Sequence, residues 1–443
     1  MAFRDFNPST DMAALASPEF SRRALLRGGA WLGAGAALSS LPFSKPVFAH
    51  AGHWSNVMAT VEEYVSSGKV ANMVAVLGWG QSEPDVIAAG MLAKGGSVAA
   101  DIDSLYRIYS MTKPITGMAT MMLIDDGKIG LDQPLAEILP AYAKMQVQKE
   151  YDGSIGEENL EPAERPITIR NLLTHSAGLG YGIVQKGPIK TEYEDRGLIP
   201  GQVSRLKLPD LGRGTPVESL EKFADGLAEM PLVYQPGTKW SYSVGLDLLG
   251  RVIEVTSGMA FDEFLSENIF KPAGMDSTWF RVPESEIGRL TANYAVVKGM
   301  SFPIDPAASS IYLDEPAFPF GGAGLVSSPR DYDRFMRMLV GYGKIDGKRV
   351  MGELAVRVGT SNLLPETVDL AGTWVEGQGF GAGGRVTGTS YGWGGAAGTT
   401  AFVDMKSGLR AGNFTQYMPS DAYGIQREFP DIVLKDLAAM QGK

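Results

Sequence analysis

Ser110 and Lys113, three positions apart in Ile108-Tyr109-Ser110-Met111-Thr112-Lys113-Pro114, are the residues whose types and spacing best fit chemistry. On a helix this spacing is about one turn, so both side chains leave from one face. A base that takes the proton of a hydroxyl turns it into a nucleophile, and a neighbouring amine can take part in that transfer. From Ile115 onward, Ile115, Met118, Ala119, Met122 and Leu123 form one apolar stripe, which predicts a helix. Pro114 fits its first turn, where a missing N–H leaves no bond unmade. Ser110 is therefore expected at the electropositive start of a helix, with its own N–H able to face a developing oxyanion.

Other chemistries are narrowed by what the chain lacks. With 0 cysteines in 443 residues there is no disulfide, no thiolate metal site and no cysteine nucleophile. The 3 histidines are His50, His53 and His175, and the first two lie beside an apolar N-terminal stretch. A histidine metal cage and a serine–histidine triad are both disfavoured, and no metal or cofactor is expected. A net charge of −10 with no Lys/Arg run argues against a nucleic-acid partner. A second serine, in Gly388-Thr389-Ser390-Tyr391-Gly392, fits the Gly-x-Ser-x-Gly elbow. That elbow needs a helix after the serine, and here the following residues are glycine-rich and strand-like. Ser390 is expected to be a bystander.

The elements that must position Ser110 come from both ends of the chain. Ser21-Arg22-Arg23-Ala24-Leu25-Leu26 opens an apolar run to about Phe43, closed by Val47-Phe48-Ala49. This has the form of a twin-arginine export signal over residues 1–49, so a periplasmic or secreted protein, without stable membrane insertion after cleavage, is expected. A helix from Asn56 to Ser67 and strands at Val70–Trp79 and Val86–Met91 precede Ser110. Helices follow at Ile167–Leu173, capped by Thr168, at Gly245–Val255 and at Phe261–Phe270. Gln148–Glu164 reads as a solvated acidic loop and Gln185–Pro216 as an irregular one. Phe320–Ser327 reads as a glycine-rich buried strand, and Ser328 caps a helix to Val340. Strands at Phe380–Gly383, Tyr391–Gly395, Thr399–Asp404 and Leu409–Gln416 and a last helix, Asp431–Met440, close the chain. The expected organisation is an α/β unit from residues 50–115 and 290–443, with a mostly helical unit, 116–289, inserted.

These motifs together resemble the serine β-lactamase and penicillin-binding-protein superfamily, and most closely its class C-like branch with the family VIII carboxylesterases. The carriers are Tyr109-Ser110-Met111-Thr112-Lys113, Leu173-Thr174-His175-Ser176-Ala177-Gly178-Leu179, Pro236-Gly237-Thr238-Lys239-Trp240-Ser241-Tyr242-Ser243, Pro272-Ala273-Gly274-Met275, Gly321-Gly322-Ala323-Gly324-Leu325 and Gly392-Trp393-Gly394-Gly395. The resemblance implies an α+β fold, an antiparallel sheet flanked by helices with an inserted helical domain. It implies a cleft holding Ser110, Lys113 and Tyr242. Trp393-Gly394-Gly395 matches the strand motif that is Lys-Thr-Gly in the lactamases. Two departures stand out: Val244 replaces a substrate-binding asparagine, and Trp393 replaces the lysine that pairs with a lactam carboxylate. Both leave an apolar lip suited to a neutral ester.

Within that resemblance Tyr242, as tyrosinate or through Lys113, is the expected base toward Ser110 and acid toward the leaving alcohol. A lysine and a tyrosine buried together can share one proton. The backbone N–H groups of Ser110 and Ala396 are the expected oxyanion donors, and losing one such donor costs about 3 kcal/mol of transition-state stabilisation. Gly394 and Gly395 are expected to let the strand approach the ligand, and Tyr181 to line the pocket. His175 is expected to cap carbonyls at a helix end, and Asp247 to be a packing or capping residue. The expected activity is cleavage of short-chain carboxylic esters through an acyl-serine. A β-lactamase, a D-amino-acid peptidase or amidase, an acyltransferase and a non-catalytic penicillin sensor are the alternatives. The expected partner is a small-molecule ester.

Overall fold

The computed structural model describes residues 54–206 and 214–441. The expected export segment, residues 1–49, lies outside them, as do His50 and His53.

Strands from the two ends of the chain build one antiparallel sheet. They are β1 (Asn72–Trp79), β2 (Asp85–Gly90), β3 (Gly379–Phe380), β4 (Arg385–Thr387), β5 (Ser390–Gly394), β6 (Thr400–Asp404) and β7 (Leu409–Phe414), in the order β3-β4-β5-β6-β7-β1-β2. The two ends meet where β1 pairs β7, with Val76 opposite Gly412. β1 is buried along its whole length, which explains its unbroken apolar run. Its alternate residues serve two cores. Val74 and Val76 pack with Ile108 and Met111, while Met73, Ala75 and Leu77 pack with Val57, Val61, Phe429 and Val433.

Six helices matter for the site: α1 (Ser55–Ser66), α2 (Thr112–Asp125), α3 (Ile169–Leu173), α4 (Gly245–Ser257), α5 (Pro329–Val340) and α6 (Ile425–Gln441). α1 and α6 cover one face of the sheet and α5 the other. Local chemistry sets their ends. Thr168 and Asn171 form a capping box at the start of α3. The Ser328 side chain accepts the Asp331 N–H ahead of α5, with Pro329 in its first turn. α4 stops at Gly258, whose φ of 74° closes the last turn. α2 is buried from Thr112 to Met121, not along one stripe alone. It packs against α4 and against the short helix Glu353–Gly359, so apolar and small residues surround it.

Five expectations change. The expected strand Phe380–Gly383 is extended only at Gly379–Phe380, and the last helix starts at Ile425 rather than Asp431. Only Val326–Ser327 of the expected strand 320–327 is extended, paired to Tyr106–Arg107. Gly321-Gly322-Ala323 is a turn, fixed by hydrogen bonds to α2 and α4 described below. The acidic stretch 148–164 is not a plain loop, since Gln146–Gln148 pairs Leu160–Pro162 in a small hairpin. Within 185–216 a helix forms at Gly187–Asp195, with Pro188 in its first turn and a Lys190–Glu194 ion pair at 3.0 Å. No described helix is long and apolar enough to cross a membrane.

Candidate active site

Ser110 sits in a single 3-10 turn, Tyr109–Met111, that runs straight into α2. Tyr109 has a φ of 43°, a left-handed conformation rare for a bulky residue. Its neighbours hold it there. The ring is buried edge-on to Tyr312, centroids 6.3 Å apart, and its hydroxyl accepts from Asn293 Nδ2 at 3.1 Å.

The three groups expected to meet do meet. Tyr242 Oη donates to Ser110 Oγ at 2.7 Å. Lys113 Nζ lies 3.4 Å from the same oxygen and donates to Gly322 O at 2.6 Å. One detail differs from the expected sharing of a proton between amine and phenol. Lys113 Nζ stands over the Tyr242 ring, 4.5 Å from its centroid, so a proton passing between the two travels by way of Ser110 Oγ. Aromatic neighbours fix the phenol. His175, Trp374, Tyr181 and Trp393 have ring centroids 4.7, 5.0, 5.8 and 5.9 Å from that of Tyr242.

Ala396 follows Gly394-Gly395 at the end of β5 and lines the same opening as Ser110. Among the described residues its N–H has no protein acceptor. Gly394 and Gly395 line the opening beside Ser110, and Gly395 also makes a close approach within the protein. A Cβ on Gly395 would fall 2.3 Å from Ile108 O, so the bare backbone lets the strand end close on the Ser110 segment. Gly394 faces Gln426, whose Nε2 would lie 3.1 Å from such a Cβ.

Two arms open from Ser110, Ile183 and Ala396. One, about 880 Å³ with its share of open solvent, is walled by Tyr109, Tyr181, Leu198 and Met418. The other, about 420 Å³, lies between Tyr242, Trp374, Trp393 and Gln426. Tyr181 thus lines the site, and burial pushes its phenol well above the ordinary range, so it is a neutral wall. Trp393 rests on Arg385, whose guanidinium carbon is 4.9 Å from the ring and whose pKa burial lowers to about 9. A lysine in place of Trp393 would set two buried cations side by side.

His175 does not cap carbonyls with its ring. Its φ of 56° turns the chain at the end of α3 and aims the imidazole inward. There Nδ1 meets Ser243 Oγ at 3.0 Å and accepts the Ser243 N–H at 3.2 Å, while Nε2 has no partner among the described residues. Burial, then the Lys113 charge, pushes its pKa well below 6.5, so the ring is neutral. Asp247 caps, as expected, but caps the turn at Gly322, accepting its N–H at 2.7 Å. Burial raises its carboxyl to about 6, against the pull of Lys113 and of the Gly322 N–H. Ser390 is buried in β5, 3.4 Å from Asp404 Oδ2, and the chain continues as strand, so the elbow is absent. Gly322, Trp374, Met418 and Gln426 went unread as site residues. A carboxylate inside Leu246-Asp247-Leu248-Leu249 was the signal for the Gly322 contact. Among the described residues no group of three or more His, Asp or Glu could hold a metal ion.

The Beta-lactamase family model matches residues 23–429. The chain is 32% identical over 328 residues to Protein Rv1367c of Mycobacterium tuberculosis, covering 73% of this chain and 76% of that one. It is 29% identical over 343 residues to Esterase EstB of Burkholderia gladioli, covering 69% and 76%. The solved structure of EstCE1, described as a hydrolase with promiscuous acyltransferase activity, superposes with a TM-score of 0.69 at 22% identity, over 86% of this chain and 98% of that one. That likeness establishes the α+β fold. A family match over most of the length, around a serine, lysine and tyrosine that touch, makes the chain a member of the Beta-lactamase family, in the superfamily that also holds esterases.

Proposed function

We propose that this enzyme of the β-lactamase-fold hydrolase and acyltransferase superfamily cleaves short-chain carboxylic esters through an acyl-Ser110 intermediate. The observation that carries the reading is the 2.7 Å bond from Tyr242 Oη to Ser110 Oγ, with Lys113 Nζ on the same oxygen. In the first step Tyr242, as tyrosinate beside the Lys113 ammonium, takes the Ser110 proton directly across their 2.7 Å contact as Oγ bonds the ester carbon. The carbonyl oxygen becomes an oxyanion facing the N–H groups of Ser110 and Ala396. The carbon–oxygen bond to the alcohol then breaks, and Tyr242 returns the proton to the departing oxygen. Water repeats the sequence to release the acid. An alcohol in its place completes acyl transfer, a second outcome favoured by two arms that join at Ser110. Val244 and the Trp393 lip, with no lysine to hold a lactam carboxylate, favour esters over β-lactams. The Arg22-Arg23 segment supports export to the periplasm or beyond.

Mass spectrometry of protein quenched during turnover of p-nitrophenyl butyrate tests this. The butyryl mass is expected on the peptide holding Ser110, and Ser110→Ala is expected to lose at least about 10³-fold in rate while Ser390→Ala keeps it. Fast turnover of a chromogenic cephalosporin beside slow turnover of the ester would reverse the assignment in favour of a lactamase.

A further inference from the structure

The Lys113 ammonium is held by a turn, and two helices clamp that turn. Gly322 O accepts from Lys113 Nζ at 2.6 Å. Thr116 Oγ1, on α2, donates to Gly321 O at 2.7 Å, and Asp247 Oδ1, on α4, accepts from Gly322 N at 2.7 Å. Neither glycine has space for a side chain. A Cβ on Gly321 would fall 2.5 Å from Leu246 O, and one on Gly322 would fall 2.4 Å from Asp247 Oδ2. Gly322 is thereby a bridge between two peptide groups, with a carboxylate on its N–H and an ammonium on its carbonyl.

Asp247 is fully buried, and its Oδ2 has no hydrogen-bond partner among the described residues. A half-satisfied buried carboxylate is costly unless a charge faces it. The titratable groups that bear on it are Lys113 from α2 and Tyr181 from the loop after α3. Tyr242, just before α4, and His175 adjoin these in turn. Tyr181 and His175 are neutral, and Lys113 is the cation of the set.

We propose that Asp247 is a positioning residue for proton transfer at Ser110, fixing through Gly322 the carbonyl that receives the Lys113 ammonium and serving as its buried countercharge. The inference rests on the acyl-Ser110 reading. When Asp247 takes up a proton the countercharge is lost, the bond to the Gly322 N–H weakens, and the ammonium is left among neutral groups. Burial sets that event at about pH 6, so acylation is expected to fall as pH drops through this value. Asp331 also has its carboxyl raised to about 6 by burial, but it is bound to Ser277 and Thr278, away from Lys113.

The test is the pre-steady-state acylation rate with p-nitrophenyl butyrate from pH 5 to 9, on wild type and Asp247→Asn. The asparagine keeps an oxygen for the Gly322 N–H and removes the charge. Its rate at pH 8 is expected to fall about tenfold or more with KM within about twofold, and the limb near pH 6 to disappear. A merely structural role would leave the profile's shape alone. Asp247→Asn with the wild-type rate and limb overturns the proposal. Should that variant fail to fold, wild type decides alone: a flat rate from pH 7 to 5 overturns the proposal, and a limb near pH 6 upholds it. A wild type that forms no acyl-Ser110 at any pH brings down the functional reading itself, an outcome distinct from the other two.

Discussion

Arg107 and Lys113 are buried cations on the same short segment, and they are held in opposite ways. Arg107 is enclosed. Its Nε meets Asp305 Oδ2 at 2.6 Å, Nη1 meets Thr291 O at 2.6 Å, and Nη2 meets Ser310 Oγ at 3.0 Å and Asp305 O at 3.1 Å. Asp305 in turn accepts from Ser310 Oγ at 2.6 Å and from Ile311 N at 2.9 Å. Lys113 has one strong acceptor, Gly322 O, a long contact to Ser110 Oγ and the face of a ring. Its carboxylate is one residue away, across Gly322, with one oxygen unpartnered among the described residues. A buried charge bonded at each of its nitrogens locks the backbone around it. A buried charge with bonds left over can pass a proton without first breaking a network. The segment uses the first kind to hold the strand Tyr106–Arg107 and the second kind six residues beyond it.

The contrast breaks most visibly at Tyr242. Tyr242→Phe keeps the ring among its aromatic neighbours and removes the one hydroxyl that reaches Ser110. Acylation is expected to fall about 10²- to 10⁴-fold, with the thermal midpoint nearly unchanged. A variant within tenfold of wild type would shift the whole burden to Lys113. On the enclosed side, Arg107→Met strands Asp305 as a buried charge. Urea titration is expected to show a loss of about 3–5 kcal/mol, while folded molecules keep their acylation rate at Ser110. Equal stability of the two proteins would mean that the arginine network contributes no more than the apolar side chain replacing it.

The sequence made the frame legible where local rules act. β1 declared itself by a continuous apolar run, α3 by its Thr168 cap, α5 by Ser328-Pro329. Ser110, Lys113 and Tyr242 stood out because spacing and motif order mark them. What stayed hidden depends on contacts across the chain. The glycines at 321–322 read as strand because local propensity knows nothing of Thr116 and Asp247, which bend them. Gly395 is bare because of Ile108, 287 positions earlier by simple subtraction of the two residue numbers. The helix at Gly187–Asp195 was obscured by its polar, glycine-flanked sequence, although Pro188 and the Lys190–Glu194 spacing were visible. His175 was read at the right helix end, yet its side chain turns to Ser243 because a φ of 56° cannot be inferred from its neighbours.

The same histidine gives the finest test of the contrast, because it carries one filled and one empty nitrogen. Its folded pKa lies well below the ordinary 6.5, so the unfolded chain binds a proton that the folded chain refuses. The corresponding stability is present in full above pH 6.5 and is lost as pH falls from there toward the folded value. The slope approaches about 1.4 kcal/mol per pH unit. Asp247 and Asp331, raised from 3.8 to about 6, act in the opposite sense below pH 6, so wild type alone would blur the effect. His175→Asn leaves both carboxylates in place and offers an oxygen to the Ser243 N–H. The difference between the two proteins in unfolding free energy is expected to shrink by about 1 kcal/mol between pH 7 and 5.5, with wild type losing more. Parallel curves would mean that the imidazole accepts a proton while folded, at the Nδ1 that otherwise receives the Ser243 N–H, and the ring would then belong with Lys113 among the groups poised to exchange one.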